Sequence, residues 1–168
     1  KDDPSLASID SQSQTAEPGI EKRGLDGNKK INGRKRHLAV DCLGLMLYCI
    51  GGPANEADSQ AGKKMIEQLN DQGEYPRLAK ILGDKAYAGL GDDLLVPVSV
   101  EAEERRVGQK GFVPEAFRWA VERTFAWLNR QRRLCRQFEK KTYHQESMNY
   151  IGNIKICIKR LEKYMGSN

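Results

Sequence analysis

Apolar and polar positions change rhythm several times along this chain, and each change marks an element. SLASIDSQSQ (5–14) opens as an apolar run and turns polar just after Asp10, which predicts a short strand. RKRHLAVDCLGLMLYCIGG (34–52) holds two runs rich in strand formers around a turn at Cys42–Gly44, the pattern of a hairpin. In PANEADSQAGKKMIEQLNDQG (53–73), Ala61, Met65, Ile66 and Leu69 recur at helical spacing, so a helix is expected, capped by Asp58 and ended by Gly73. A compact strand, Ala79–Leu82, stops at Gly83–Asp84, with Lys85, Tyr87 and Gly89 in the turn beyond. DDLLVPVSV (92–100) supplies another strand, which Pro97 assigns to a sheet edge or a strand end. Two helices close the chain. In the first, residues 112–134, Phe117, Val121, Phe125 and Leu128 form an apolar stripe that docks on a core, beside a polar stripe of Arg118, Glu122, Asn129 and Arg133. The second runs from about His144 to Tyr164, with Met148, Ile151, Ile154, Ile158 and Leu161 as its apolar stripe. Residues 15–33 have the composition of a loop, and 101–111 that of a charged connector.

Strand, hairpin, helix, strand, strand, helix, helix is an α/β order built on a mixed sheet. At 168 residues the expectation is a single domain over 1–168, with 1–4 and 165–168 as disordered ends. No stretch approaches the roughly 20 apolar residues that a membrane-spanning helix needs. The absence of an export signal and the scattered cysteines (Cys42, Cys49, Cys135, Cys157) predict reduced, partly buried thiols in a cytoplasmic protein. With His37 and His144 as its only histidines, the chain offers no zinc-type cluster. Because it begins with Lys1, a processed or truncated piece is expected.

Charge sharpens the reading. The net charge of +5 conceals a split, since residues 105–168 carry 15 Lys and Arg against 5 Asp and Glu. A basic carboxy-terminal third fits a polyanion such as nucleic acid, or else a solvated helical face. Lys29, Lys30, Arg34, Lys35 and Arg36 form a second basic patch, read as DNA-phosphate contacts in preference to a solubilising loop. Against this background, Asp10 and Asp84 lie where apolar strands give way to polar residues, and Glu122 stands on a helix that is otherwise apolar and basic. Clustered carboxylates repel one another and persist when a divalent cation neutralises them. Hard oxygen donors select magnesium or manganese, and two such ions about 3.5–4 Å apart can activate one oxygen of a phosphodiester and stabilise another. Each acid also has a plainer role: Glu122 in an ion pair with Arg118, Asp84 as a turn former, Asp10 in a turn ahead of Ser11. Asp41 is the alternative first ligand, set aside because it adjoins the hairpin turn. Trp119 and Trp127 are expected to pack in the core in preference to stacking on bases.

Five blocks in this order, IDSQSQ, GLDGNKKINGRKRHLAVDCLGLML, PANEADSQAG, ILGDKAYAG and RWAVERTFAWLNRQRRL, resemble the bacterial insertion-sequence transposases with a DDE catalytic domain. The resemblance spans roughly residues 5 to 160. It implies a ribonuclease-H-like fold, a mixed five-stranded sheet flanked by helices with a helical carboxy terminus. It also implies Asp10, Asp84 and Glu122 as catalytic acids and metal ligands, magnesium or manganese as a pair of ions, and cleavage of DNA followed by strand transfer. Arg118, Arg123, Arg130 and Arg133 then become DNA contacts, with Lys85 beside Asp84. The family signature carries a tyrosine where Glu115 stands, and a basic residue where Asn129 stands. A homodimer on DNA, a bacterial cytoplasmic setting near the nucleoid, and a missing amino-terminal DNA-recognition region complete the expectation. Two other readings remain open: a DNA-binding remnant without activity, and a nuclease or junction resolvase of the same fold.

Overall fold

The computed structural model describes residues 3–87, 90, 96–102 and 118–166. Residues 112–117 of the expected helix, including Glu115 and Phe117, lie outside the described residues, as do Gly89, residues 92–95 of the expected strand and 103–111 of the connector. The elements run β1 (Leu6–Thr15), β2 (Gly24–Asp26), β3 (Ile31–Val40), β4 (Met46–Pro53), α1 (Asp58–Gln72), β5 (Lys80–Gly83), β6 (Ser99–Ala102), α2 (Arg118–Asn129) and α3 (Thr142–Met165). In the sheet β3 pairs antiparallel with β1 and β4, while β1, β5 and β6 are parallel, giving the lateral order β4–β3–β1–β5–β6. That is the expected five-stranded mixed sheet. A sixth strand, the three-residue β2, pairs with the start of β3 from inside the stretch read as loop.

Alternation along the strands divides the core in two. Ala7, Ile9, Ala39 and Ile81 face α1, where Met65, Ile66 and Leu69 close over them. Leu38, Val40, Met46 and Cys49 face the other way, against Ala120, Val121, Phe125 and Leu128 of α2. α1 begins at Asp58, and its last turn closes on Gly73, whose φ of 64° is open to glycine. Asp58 does not cap the helix as expected; its carboxylate takes Lys35 Nζ at 2.9 Å. Pro97 precedes β6, which is an edge strand.

β1 does not end at Asp10. Its polar half stays in the sheet, Gln12 opposite Arg36 and Thr15 opposite Gly33, because the amides have buried partners. Arg36 is fully buried on the α2 face. Its guanidinium donates to Gln12 Oε1 at 2.6 Å, Asn129 Oδ1 at 2.9 Å, Asn149 Oδ1 at 3.0 Å and the Leu134 carbonyl at 3.3 Å. Gln14 adds hydrogen bonds to Asn129 and to the Leu134 carbonyl. Arg34, equally buried, donates to the carbonyls of Glu21, Glu139 and Lys140. Strand, helix and carboxy-terminal helix are therefore joined by two buried cations whose acceptors are neutral.

This polar seam explains an inversion in α3. Thr142, Gln145, Asn149 and Gly152 are its buried residues, whereas Ile151, Ile154, Ile158 and Leu161 of the expected docking stripe are each at least 50% exposed. Met148 alone of that stripe is packed on the core.

Losing the buried guanidinium leaves several acceptors without a donor. Arg36→Lys, which cannot span them, is expected to lower unfolding stability by roughly 2–4 kcal/mol in urea titrations. A loss below about 0.5 kcal/mol, the size of an ordinary surface change, would contradict a structural role for Arg36.

Candidate active site

The parallel register of β1 and β5 aligns Ser8 with Leu82. Two residues farther along stand Asp10, midway along β1, and Asp84, directly after β5, level with one another on adjacent parallel strands. Their common face is the one that α2 covers, because Asp10 pairs across β3 with Leu38. Val121, Phe125 and Leu128 seat α2 there, and Glu122 is carried at the edge of that contact.

Each acid is held differently. Asp10 Oδ1 accepts the Ser11 backbone N–H at 2.7 Å. Asp84 organises the turn after β5, its Oδ1 accepting the Ala86 N–H at 2.8 Å and its carbonyl the Tyr87 N–H at 3.0 Å. Tyr87 is fully buried and wedges this turn between two glycines: a Cβ on Gly62 would meet its ring at 2.6 Å, and one on Gly83 at 2.8 Å. Tyr87 thus fixes the turn, and Lys85 beside it is exposed. Glu122 is exposed and pairs with Arg118, Nε to Oε1 3.6 Å. Asp41 serves the hairpin turn, accepting the N–H groups of Leu43 and Leu45.

Asp10 is where the three acids meet electrostatically. Burial is the main cause that pushes its carboxyl up to about 6, with Asp84 and Glu122 adding to the rise and the Ser11 N–H and Arg118 opposing it. Among the described residues, no three His, Cys, Asp or Glu side chains close on a point within reach of one metal ion. The donor set nonetheless suits a hard divalent cation: it consists of carboxylate oxygens, and the negative charge concentrated at Asp10 is what such a cation would offset.

The basic residues sort into three groups. Lys29, Lys30, Lys85 and Arg130 are exposed. Arg118, Arg123 and Arg133 are partly engaged: Arg118 with Glu122, Arg133 with Glu139 at 2.8 Å, and Arg123 with the Leu43 carbonyl at 2.7 Å. Arg34, Lys35 and Arg36 are interior, not the DNA contacts expected, because they are buried and their terminal nitrogens donate to protein acceptors. Neither tryptophan is a core residue as expected. Trp119 is 49% exposed, and Arg123 stacks over both Trp119 and Trp127, at 4.2 and 4.8 Å from the ring centroids. Arg160 covers Trp127 in turn, at 4.5 Å. It borders a groove with Arg130, Lys155, Lys159 and Lys163 that sequence reasoning missed, although the four-residue spacing of the three lysines was there to be read.

A mixed sheet in this order, with acids level with one another on the adjacent parallel strands β1 and β5 and on the helix above them, defines a ribonuclease-H-like domain. Residues 1–95 match the family described as Transposase DDE domain, and residues 96–159 match a second family of the same description. The chain belongs to the transposase DDE domains. Among solved structures it is similar to a chain in a cryo-electron-microscopy structure of a piggyBac transposase synaptic complex with hairpin DNA, at a TM-score of 0.51 and 12% identity. The likeness covers 89% of this chain and 45% of that one, so the chain spans less than half the length of its structural neighbour. No curated protein matches the sequence.

Because the folded Asp10 pKa lies above its ordinary 3.8, the folded state holds this proton more tightly than the unfolded chain does. The resulting stability is complete below pH about 4 and is lost as pH rises through about 6. Across that interval the protein should lose up to about 3 kcal/mol relative to Asp10→Asn, measured by urea unfolding without divalent ions. Manganese at neutral pH should raise the Tm of the parent chain and leave that of Asp10→Asn unchanged. Identical pH profiles for the two proteins would contradict the assignment.

Proposed function

We propose that this chain is the catalytic domain of a transposase that cuts DNA at the ends of a mobile element and joins the freed ends to target DNA. One observation carries the reading: Asp10 on β1 stands level with Asp84 at the end of the neighbouring parallel β5, and its carboxyl feels both Asp84 and Glu122. In this reading Asp10, Asp84 and Glu122 hold two magnesium or manganese ions. When bound, such ions activate the attacking oxygen and stabilise the leaving one. The protein's own part is to fix those carboxylates on a rigid sheet and helix and to grip the substrate phosphates. Arg118, beside Asp10 and Glu122, is suited to the phosphate nearest the acids. Lys29, Lys30, Lys85, Arg123, Arg130 and Arg133 offer further contacts along the duplex, and Lys159 and Lys163 of the α3 groove extend them.

The chemistry is two displacements at phosphorus. Water attacks a phosphodiester at the element's end, the 3′ oxygen leaves and takes up a proton, and a 5′ phosphate remains. The new 3′-hydroxyl then loses its proton and attacks a target phosphodiester, displacing that strand's own 3′ oxygen. Chromosomal DNA as substrate fits a bacterial cytoplasmic setting, and among the described residues no helix is long and apolar enough to cross a membrane.

A DNA-binding remnant is the second reading, favoured by the pairing of Glu122 with Arg118. The two separate on one variant. Glu122→Gln should reduce Mg²⁺-dependent cleavage of an element-end duplex at least ~100-fold, equivalent to about 2.7 kcal/mol of barrier. Its DNA affinity should stay within about threefold of the parent's and fall with salt. Undiminished cleavage by the variant would overturn the assignment, and binding without cleavage by the parent chain would establish the remnant.

A further inference from the structure

The apolar stripe of α3 points away from the fold. Ile151, Ile154, Ile158, Leu161 and Met165 are between 50% and 75% exposed, while the face that meets the fold buries Thr142, Gln145, Asn149 and Gly152, with Met148, Tyr150 and Ile156 packed beside them. Scattered exposed apolar residues are ordinary, but a continuous stripe marks a contact surface. Here the intervals are three, four, three and four, which is the a and d seam of a heptad repeat.

We propose that a second copy of this chain covers the stripe, its α3 laid antiparallel across this one. Charge selects both direction and register. With the apolar residues at a and d, the exposed Lys155 and Glu162 fall at e, and Cys157 and Tyr164 at g. Among the described residues neither Lys155 nor Glu162 has an ion-pair partner. An antiparallel pair brings e beside e. Setting Ile158 on Leu161 of the partner subunit, and Ile154 on Met165 of the partner subunit, brings Lys155 beside Glu162 of the partner subunit, twice by symmetry. A slip of one heptad would oppose Lys155 to its own copy. Parallel helices would bring e beside g and form no charge pair. The contact is self-complementary and closes at two copies. It is independent of the acids at Asp10, Asp84 and Glu122.

Analytical ultracentrifugation of the chain without DNA tests the proposal. The parent should sediment as a dimer, and Ile154→Glu with Ile158→Glu as a monomer, with the far-ultraviolet circular dichroism of a folded chain, since both side chains are outside the core. Lys155→Glu and Glu162→Lys should each weaken the dimer at least tenfold. Mixing those two variants, or combining both changes in one chain, should restore it. The charge variants keep the test valid if the isoleucine variant fails to fold. A parent chain that is monomeric at the highest attainable concentration would overturn the proposal, as would a dimer indifferent to the isoleucine changes. So would a dimer that the charge swaps leave unaltered.

Discussion

Everything functional in this fold depends on a guanidinium that never reaches solvent. Arg36 joins β1 through Gln12, α2 through Asn129 and α3 through Asn149, and it holds the 134 carbonyl between the two helices. Burial pushes its pKa down to about 10, so it is still charged at neutral pH. A buried charge of this kind is costly unless its hydrogen bonds are made, and that cost enforces a single arrangement of strand and helix. The helix whose register it sets carries Glu122. The strand it grips through Gln12 carries Asp10 two residues earlier.

From that constraint follows the electrostatics of the proposed site. A rigid sheet sets Asp10 and Asp84 side by side, and the seated helix adds a third negative charge from above. Desolvation then raises the Asp10 pKa, with the neighbouring acids adding to it. Such an arrangement stores unfavourable charge, as sites that recruit cations do. The ion pair between Arg118 and Glu122 offsets part of that charge while no other counterion is present.

Much of this was legible in the sequence, and the failures have common causes. Period-2 and period-3.6 patterns located the hairpin, α1, β5 and α2, because there the buried side chains are apolar. β1 looked shorter than it is, since Gln12 and Gln14 are sheet residues satisfied by partners more than 20 positions away. The same network misled the reading of Arg34 and Arg36, where clustered basic residues imitate a DNA contact until tertiary acceptors are known. In α3 the apolar periodicity was real, but its face was inverted, because the fully buried contacts of this helix are polar or glycine, with Met148, Tyr150 and Ile156 only partly buried beside them. Asp84 and Glu122 were recognisable as candidates from strand end, helix position and family resemblance; Asp10 rested on the resemblance and on a strand end that proved to be mid-strand. Their relative spacing was not, because it depends on the seating of α2.

The same seating accounts for the outward face of the molecule. With its polar face spent on the Arg36 network, α3 turns its isoleucines to solvent, and α2 turns Trp119 and Trp127 outward to be covered by arginines. One seam thereby orders the proposed acids, the basic groove and the proposed self-association surface. The most direct test is an NMR titration of the Asp10 carboxyl without divalent ions, in the parent chain and in Glu122→Gln. A midpoint near 6 that falls when Glu122 is neutralised is the predicted result. A midpoint at the ordinary carboxylate value, or one that Glu122→Gln leaves in place, would contradict a shared site.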